Sequence, residues 1–286
     1  MKKFIFSVFL LFTLVILLGL SNGEVKFQVN PFKNTNISLK NTTITIIYDN
    51  NPCDKRLKTA WGFSCLVRID GKNILFDTGG DSPTLLSNMK TLDIDPREIN
   101  AVVLSHIHGD HVGGLFGFLK QNSIVTVYLP RSFPENFKQQ VKSFGAKIVE
   151  ISKGEKLFDN VYTTGELGTW IKEQSLIIKG REGFILITGC AHPGIVNILE
   201  KSKDFIGGVP LLVIGGFHLV GTSDEKIKQI VEDFERLGVQ KVGPCHCSGD
   251  RARYMFRKLY GGDFIEVGVG KIITISKSER SSDSKN

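Results

Sequence analysis

The sequence is poor in the residues that build disulfide scaffolds. Five irregularly spaced cysteines among 286 residues are too few for such a framework. No Gly-Lys-Ser or Gly-Lys-Thr triplet occurs, so the glycine-rich stretches form no phosphate-binding P-loop. No Gly-x-Ser-x-Gly elbow occurs either, which removes the serine-hydrolase arrangement. Lys and Arg exceed Asp and Glu by only seven, and two of those charges are Lys2 and Lys3. So mild an excess favours anionic substrates weakly. It is no concentrated basic stripe, and no nucleic-acid partner is expected. Beyond the apolar run Phe4 to Leu20, no segment is long and apolar enough to cross a bilayer.

What is present points to a folded domain. A hydrophobic content of 41% supports a sizeable core, and 23% charged residues exclude wholesale disorder. Lys2-Lys3, the run Phe4 to Leu20 and the small polar Ser21-Asn22-Gly23 stand in the order of a secretory signal. Residues 1–23 are therefore expected to be a signal peptide cleaved after Gly23, with export to the periplasm or the cell exterior. The alternative is an uncleaved anchor through residues 4–20. No stable membrane span remains if the signal is cleaved.

Residues 24–276 read as one α/β domain, and residues 277–286 as a polar tail. Thr42–Tyr48, Phe63–Ile69, Asn73–Phe76, Ala101–Leu104 and Ile124–Tyr128 read as strands. So do Ser175–Ile178, Phe184–Ile187, Leu211–Ile214 and Ile272–Ile275. Asp70-Gly71 joins the second and third as a hairpin turn. The clearest helix has Thr222 and Glu225 as the two ends of a capping box. Its apolar face is Ile227, Ile230, Val231, Phe234 and Leu237, and Gly238 closes it.

The chain has only six histidines. His106, His108 and His111 fall, with Asp110, in one loop directly after a buried strand. Imidazoles crowded this tightly call for a shared divalent cation. His106 and His108, two apart, point the same way from an extended loop, whereas Asp110 and His111 fall across a turn. That spacing serves two neighbouring ions. Gly113 and Gly114 are read as the point where the chain turns sharply into a helix from Leu115 to Lys120.

This stretch resembles the HxHxDH signature of the metallo-β-lactamase superfamily. Leu75-Phe76-Asp77-Thr78-Gly79 is similar to the strand-end aspartate segment that precedes it there. The resemblance implies an α/β fold, a four-layer αββα sandwich with the ions at one edge between the sheets. Further pieces are Tyr48-Asp49-Asn50-Asn51, Gly189-Cys-Ala-His-Pro-Gly194, Gly215-Gly-Phe-His-Leu219 and Pro244-Cys-His-Cys-Ser-Gly249. Together they resemble the 7,8-dihydropterin-6-yl-methyl-4-(β-D-ribofuranosyl)aminobenzene 5′-phosphate synthases.

With that fold in view, His192 and His246 are loop histidines at strand ends. His106, His108 and His192 are assigned to the first ion, and Asp110, His111 and His246 to the second. Many members bridge the ions with an aspartate where this chain has Gly189-Cys190. Cys190 is accordingly either a thiolate ligand or a small buried filler. Asp77 is expected behind the ligands, fixing an imidazole tautomer. Glu166 reads as a solvated turn residue or, second, a carboxylate near the site. His218, after Gly215-Gly216 that let backbone approach a ligand, is expected to orient substrate or transfer a proton. Asp110 would both bind metal and orient the nucleophile. Cys245 and Cys247 read as redox-sensitive packing thiols, and Cys53 and Cys65 are near enough in sequence to pair after export. The expected cofactors are two divalent metal ions, zinc first, with iron or manganese as alternatives. The expected activity is hydrolysis, by a metal-bound hydroxide, of a small-molecule ester, lactone, thioester or phosphoester, with anionic groups held at the helix starts after His192 and His246. The alternative is the transferase that the resemblance suggests, joining a dihydropterin diphosphate to 4-(β-D-ribofuranosyl)aminobenzene 5′-phosphate.

Overall fold

Thirteen strands and seven α-helices make up the computed structural model, which describes residues 42–275. The expected signal or anchor (1–23) and the tail (277–286) lie outside the described residues. Among the described residues, no helix is long and apolar enough to cross a membrane.

Seven strands form the first sheet: β1 (Thr42–Tyr48), β2 (Ser64–Ile69), β3 (Lys72–Phe76), β4 (Ala101–Val103), β5 (Thr126–Pro130), β6 (Lys147–Ile151) and β13 (Ile272–Ile275). Their order is β13-β1-β2-β3-β4-β5-β6. The second sheet is β12 (Lys241–Cys245), β11 (Pro210–Gly216), β10 (Phe184–Thr188), β9 (Leu176–Lys179), β8 (Val161–Thr163) and β7 (Glu155–Phe158), in that spatial order. β3 to β6 run parallel, as do β10 to β12. Asp70 and Gly71 both take positive φ and join β2 to β3 as the Asp-Gly pair predicts.

Side chains alternate along these strands, so each sheet has two faces to bury. The inner faces meet in one cluster holding Ile44, Ile46, Val67 and Phe76 from the first sheet and Leu176, Ile185, Ile187 and Ile214 from the second. The outer face of the first sheet is covered by α1 (Ser82–Thr91), α3 (Leu115–Leu119) and α4 (Glu135–Ser143). The outer face of the second is covered by α5 (Ile195–Ile206), α6 (Asp224–Arg236) and α7 (Gly249–Tyr260). These are the four αββα layers.

Local differences from the sequence reading have physical causes. β5 starts at Thr126, not Ile124, because pairing with Ala101 begins there and the Ile124 amide is held by Asn122 Oδ1. The cap of α6 is Ser223, whose hydroxyl accepts from the Lys226 amide, so the helix begins one residue later than a Thr222 cap would place it. Its apolar face is buried as expected. β6, β7, β8 and β12 were not legible as strands. β6 and β7 alternate too weakly, with mostly exposed or half-buried residues. Pro244 masks β12, which sits at a sheet edge, where proline is tolerated. All five cysteines are free thiols. Cys65 lies in the inter-sheet core while Cys53 is at the surface, so the expected Cys53–Cys65 pair does not form.

Candidate metal centre

The sheets bring their carboxyl-terminal loops together at one end of the sandwich. From the first sheet come Asp49 after β1, Asp77 after β3 and the histidine loop after β4. From the second come Cys190-Ala191-His192 after β10, His218 after β11 and His246 after β12. Between β4 and α3 runs a short helix α2 (Gly109–Val112) that carries Asp110 and His111. Gly113 and Gly114 have ordinary right-handed helical dihedrals, so conformation is not why they are glycine. A Cβ would lie 2.0 Å from Gly80 O at Gly113 and 2.1 Å from Thr78 O at Gly114. The two glycines let the helix pair press onto the loop after β3.

The candidate ligands fall into two sets. His106, His108 and His192 each bring one ring nitrogen within 4.8 Å of the others. Asp110, His111, Cys190 and His246 form a second set under the same limit. In the second, His111 Nε2 is 3.2 Å from Cys190 Sγ and 3.3 Å from His246 Nε2, and Asp110 Oδ2 is 3.3 Å from His246 Nε2. Such edge lengths suit a tetrahedral ion. Cys190 therefore stands among the donors, which favours the ligand reading over the filler reading.

The partners of the other ring nitrogens decide what faces inward. His111 Nδ1 is 2.7 Å from Asp77 Oδ2 and His192 Nδ1 is 2.8 Å from Glu173 Oε2. His246 Nδ1 is 3.1 Å from Asn50 Oδ1. Ser105 Oγ donates to Asp77 and so accepts from His106 Nδ1 at 2.9 Å. In each case Nδ1 carries the proton and Nε2 presents a bare lone pair, the tautomer that binds metal. The Nε2 atoms of His111 and His246 then face each other at 3.3 Å, close enough for one cation to take both lone pairs. His106 Nε2 is fully buried with no hydrogen-bond partner at all. A polar atom is not left so without cause. The donor set therefore fits divalent ions.

Burial reinforces the point. It pushes His106 and His111 down to about 3, so both imidazoles are neutral donors. It pushes the Asp77 carboxyl up to about 7 against the pull of His106 and Ser105. Glu173 is also fully buried, yet hydrogen bonds from the His192 ring and amide hold its carboxyl below the ordinary range. Neutral His106 and His111 bring no positive charge to the carboxylates beside them, whereas the Asp110 carboxylate lifts His246 above the ordinary imidazole range against its burial.

Asp77 stands behind His111 as expected. Glu166 does not reach the site and instead accepts from the Ser132 amide. Glu173 takes the place assigned to it. Its Oε1 accepts from the Cys190 and Ala191 amides, and its Oε2 from the His192 amide and ring. Those successive N–H groups wrap a carboxylate of the protein itself. α5 starts at Ile195 after Gly194, so Pro193 precedes it. Glycines 215 and 216 likewise serve neighbouring strands rather than a ligand: added Cβ atoms would lie 2.1 Å from Thr188 O and 2.3 Å from Gly189 O. Sequence reasoning gave no role to Asp49 and Asn50, although their motif was noticed. Asp49 accepts from the His246 amide, and Asn50 fixes its ring. Glu173 had no signal beyond a polar stretch before a strand.

His218 lies at the mouth, exposed, with its ring 4.5 Å from that of His192 and its backbone at positive φ. Such strain in a non-glycine residue is held where it serves a site. Cys245 packs in the inter-sheet core. Cys247 does not merely pack: its Sγ is 3.2 Å from Cys190 Sγ. Trp61, 54% exposed, stands 4.9 Å from the His246 ring.

Replacing Glu173 with glutamine is expected to weaken metal affinity about 10- to 100-fold, the usual cost of losing a carboxylate behind a ligand histidine. Competition with a chelator measures it, and unchanged affinity would separate Glu173 from the metal centre.

The fold and its two candidate donor sets are those of a metallo-β-lactamase-type protein, and the chain belongs to the metallo-β-lactamase superfamily, whose model matches residues 62–204. Proteins of this superfamily usually bind divalent metals. More particularly, the chain is 31% identical to the 7,8-dihydropterin-6-methyl-4-(β-D-ribofuranosyl)-aminobenzene-5′-phosphate synthase of Methanocaldococcus jannaschii, over 74% of this chain and 89% of that one. It is 30% identical to an uncharacterized protein of the same organism, over 81% and 100% of the two chains. A metal-dependent hydrolase of the β-lactamase superfamily with a solved structure matches at a TM-score of 0.69 and 29% identity, over 82% and 100%.

Proposed function

We propose that this protein is a two-ion metallohydrolase of a small anionic ester, lactone, thioester or phosphoester. The observation that carries the reading is the buried, unpartnered Nε2 of His106, aimed into a set completed by His108 and His192. His106, His108 and His192 would hold one ion, and Asp110, His111, Cys190 and His246 the other, zinc fitting this imidazole, carboxylate and thiolate mixture. Bound there, the ions lower the pKa of water to about 7 and stabilise negative charge that develops on the substrate. Asp110 Oδ2, beside His111 and His246, has a second lone pair to orient a nucleophile. His218 faces the open side, where it donates to an oxyanion or protonates a leaving group. The exposed Trp61 ring beside His246 suits a flat or apolar portion of the substrate.

The test is to purify the protein, count ions per chain, and screen it against all four substrate classes before and after chelation. Metal-dependent turnover of one class supports the reading. Equal turnover without metal, or none with any class, overturns it.

The second reading, a synthase joining a dihydropterin diphosphate to a ribosylated aminobenzene phosphate, is supported by the similarity to the Methanocaldococcus jannaschii synthase. Export would count against it, because pterin diphosphates are cytosolic metabolites. Mass spectrometry of the protein from its native host is expected to find a chain that starts near Glu24, outside the cytosol. A cytosolic chain retaining Met1 would favour the synthase.

A further inference from the structure

The two metal sets leave one thiol of the centre unused. Cys247 is buried, and its Sγ lies 3.2 Å from that of Cys190. The approach depends on Gly216, where a Cβ would sit 2.6 Å from Cys247 Sγ. A ring nitrogen of His218 completes the group: it and the two sulfur atoms all lie within 4.8 Å of one another. Two sulfurs and an imidazole make a softer set than its neighbours, one with three imidazoles and the other with two imidazoles, a carboxylate and a single sulfur. They suit thiophilic ions, which hard carboxylate sites hold poorly. Cys190 belongs to both groups, and a thiolate has lone pairs enough to serve two ions.

We propose that Cys190, His218 and Cys247 form a third position, selective for soft ions such as Cu⁺ or Cd²⁺ and contiguous with the two-ion centre. It rests on the two-ion reading only through the shared Cys190. The position is inhibitory. An ion held there fixes His218 by its ring nitrogen and removes it from the substrate. It also draws on the thiolate charge that helps to hold the second ion.

The test uses the full, reduced chain under anaerobic conditions, loaded with excess ¹¹³Cd²⁺ and freed of unbound metal. Elemental analysis is expected to find three ions per chain, with three ¹¹³Cd resonances, one from a two-sulfur, one-nitrogen environment. The Cys247→Ser variant is expected to hold two, and to lose that resonance alone. Two ions in the unaltered protein, or three in the variant, would overturn the third position and leave the two-ion centre standing. Fewer than two in the unaltered protein would overturn both. Should Cys247→Ser fail to fold, the spectrum of the unaltered protein decides, and a spectrum without a two-sulfur resonance overturns the proposal.

Discussion

His108→Ala is expected to empty the first metal position and abolish turnover. His108 is only half-buried, so its loss removes a donor without opening the core. The remaining pair, His106 and His192, is too few to hold an ion in a position that ordinarily takes three or four ligands. Loss of an ion that stabilises developing charge costs several kcal/mol, which is ~10³-fold or more in rate. Metal analysis should read one ion where the unaltered protein holds two, with thermal unfolding showing a folded domain. A variant with full metal content and full turnover would refute the ligand assignment.

His218→Ala should separate catalysis from metal binding. The seven donors of the two sets do not include His218, and its ring stands at the open side of the centre beside His192. Removing a group that protonates a leaving atom or binds an oxyanion typically costs ~10²–10⁴-fold. The expected result is a fall of that size in kcat with two ions retained and folding unchanged. If one of those two ions is lost, His218 is a ligand of the catalytic pair. If kinetics are unchanged but thermal stability falls, it is a structural histidine.

The reach of the sequence reading follows from how far apart the cooperating groups lie. His106, His108, Asp110 and His111 share one short loop, so their joint purpose showed in spacing alone. His192 and His246 could be placed once a fold was in view, because each follows an apolar strand. Glu173 was invisible because its four hydrogen bonds go to a loop 17 to 19 residues away and its local surroundings are polar. Asn50 and Asp49 meet His246 across 196 and 197 residues of chain. The glycines misled in a consistent way. Their presence was legible, but their purpose was the approach of neighbouring backbone, which only the packed strands reveal. The edge strands β6 and β7 were missed because exposure on both faces erases the alternation that marks a half-buried strand.

Each donor set draws on both sheets, and this bears on how the domain is held shut. His106 and His108 belong to the first sheet and His192 to the second. Asp110 and His111 belong to the first, Cys190 and His246 to the second. An ion in either place is thus a clasp across the sandwich. His111 is 79 residues from Cys190 and 135 from His246, so the loops such clasps close are long. Long closures take the most freedom from an unfolded chain, as a disulfide of equal span would. Withdrawal of the ions would leave the distal end of the sandwich zipped by its apolar core. The catalytic end would be the first to gape, and the place where proteases and solvent exchange gain entry.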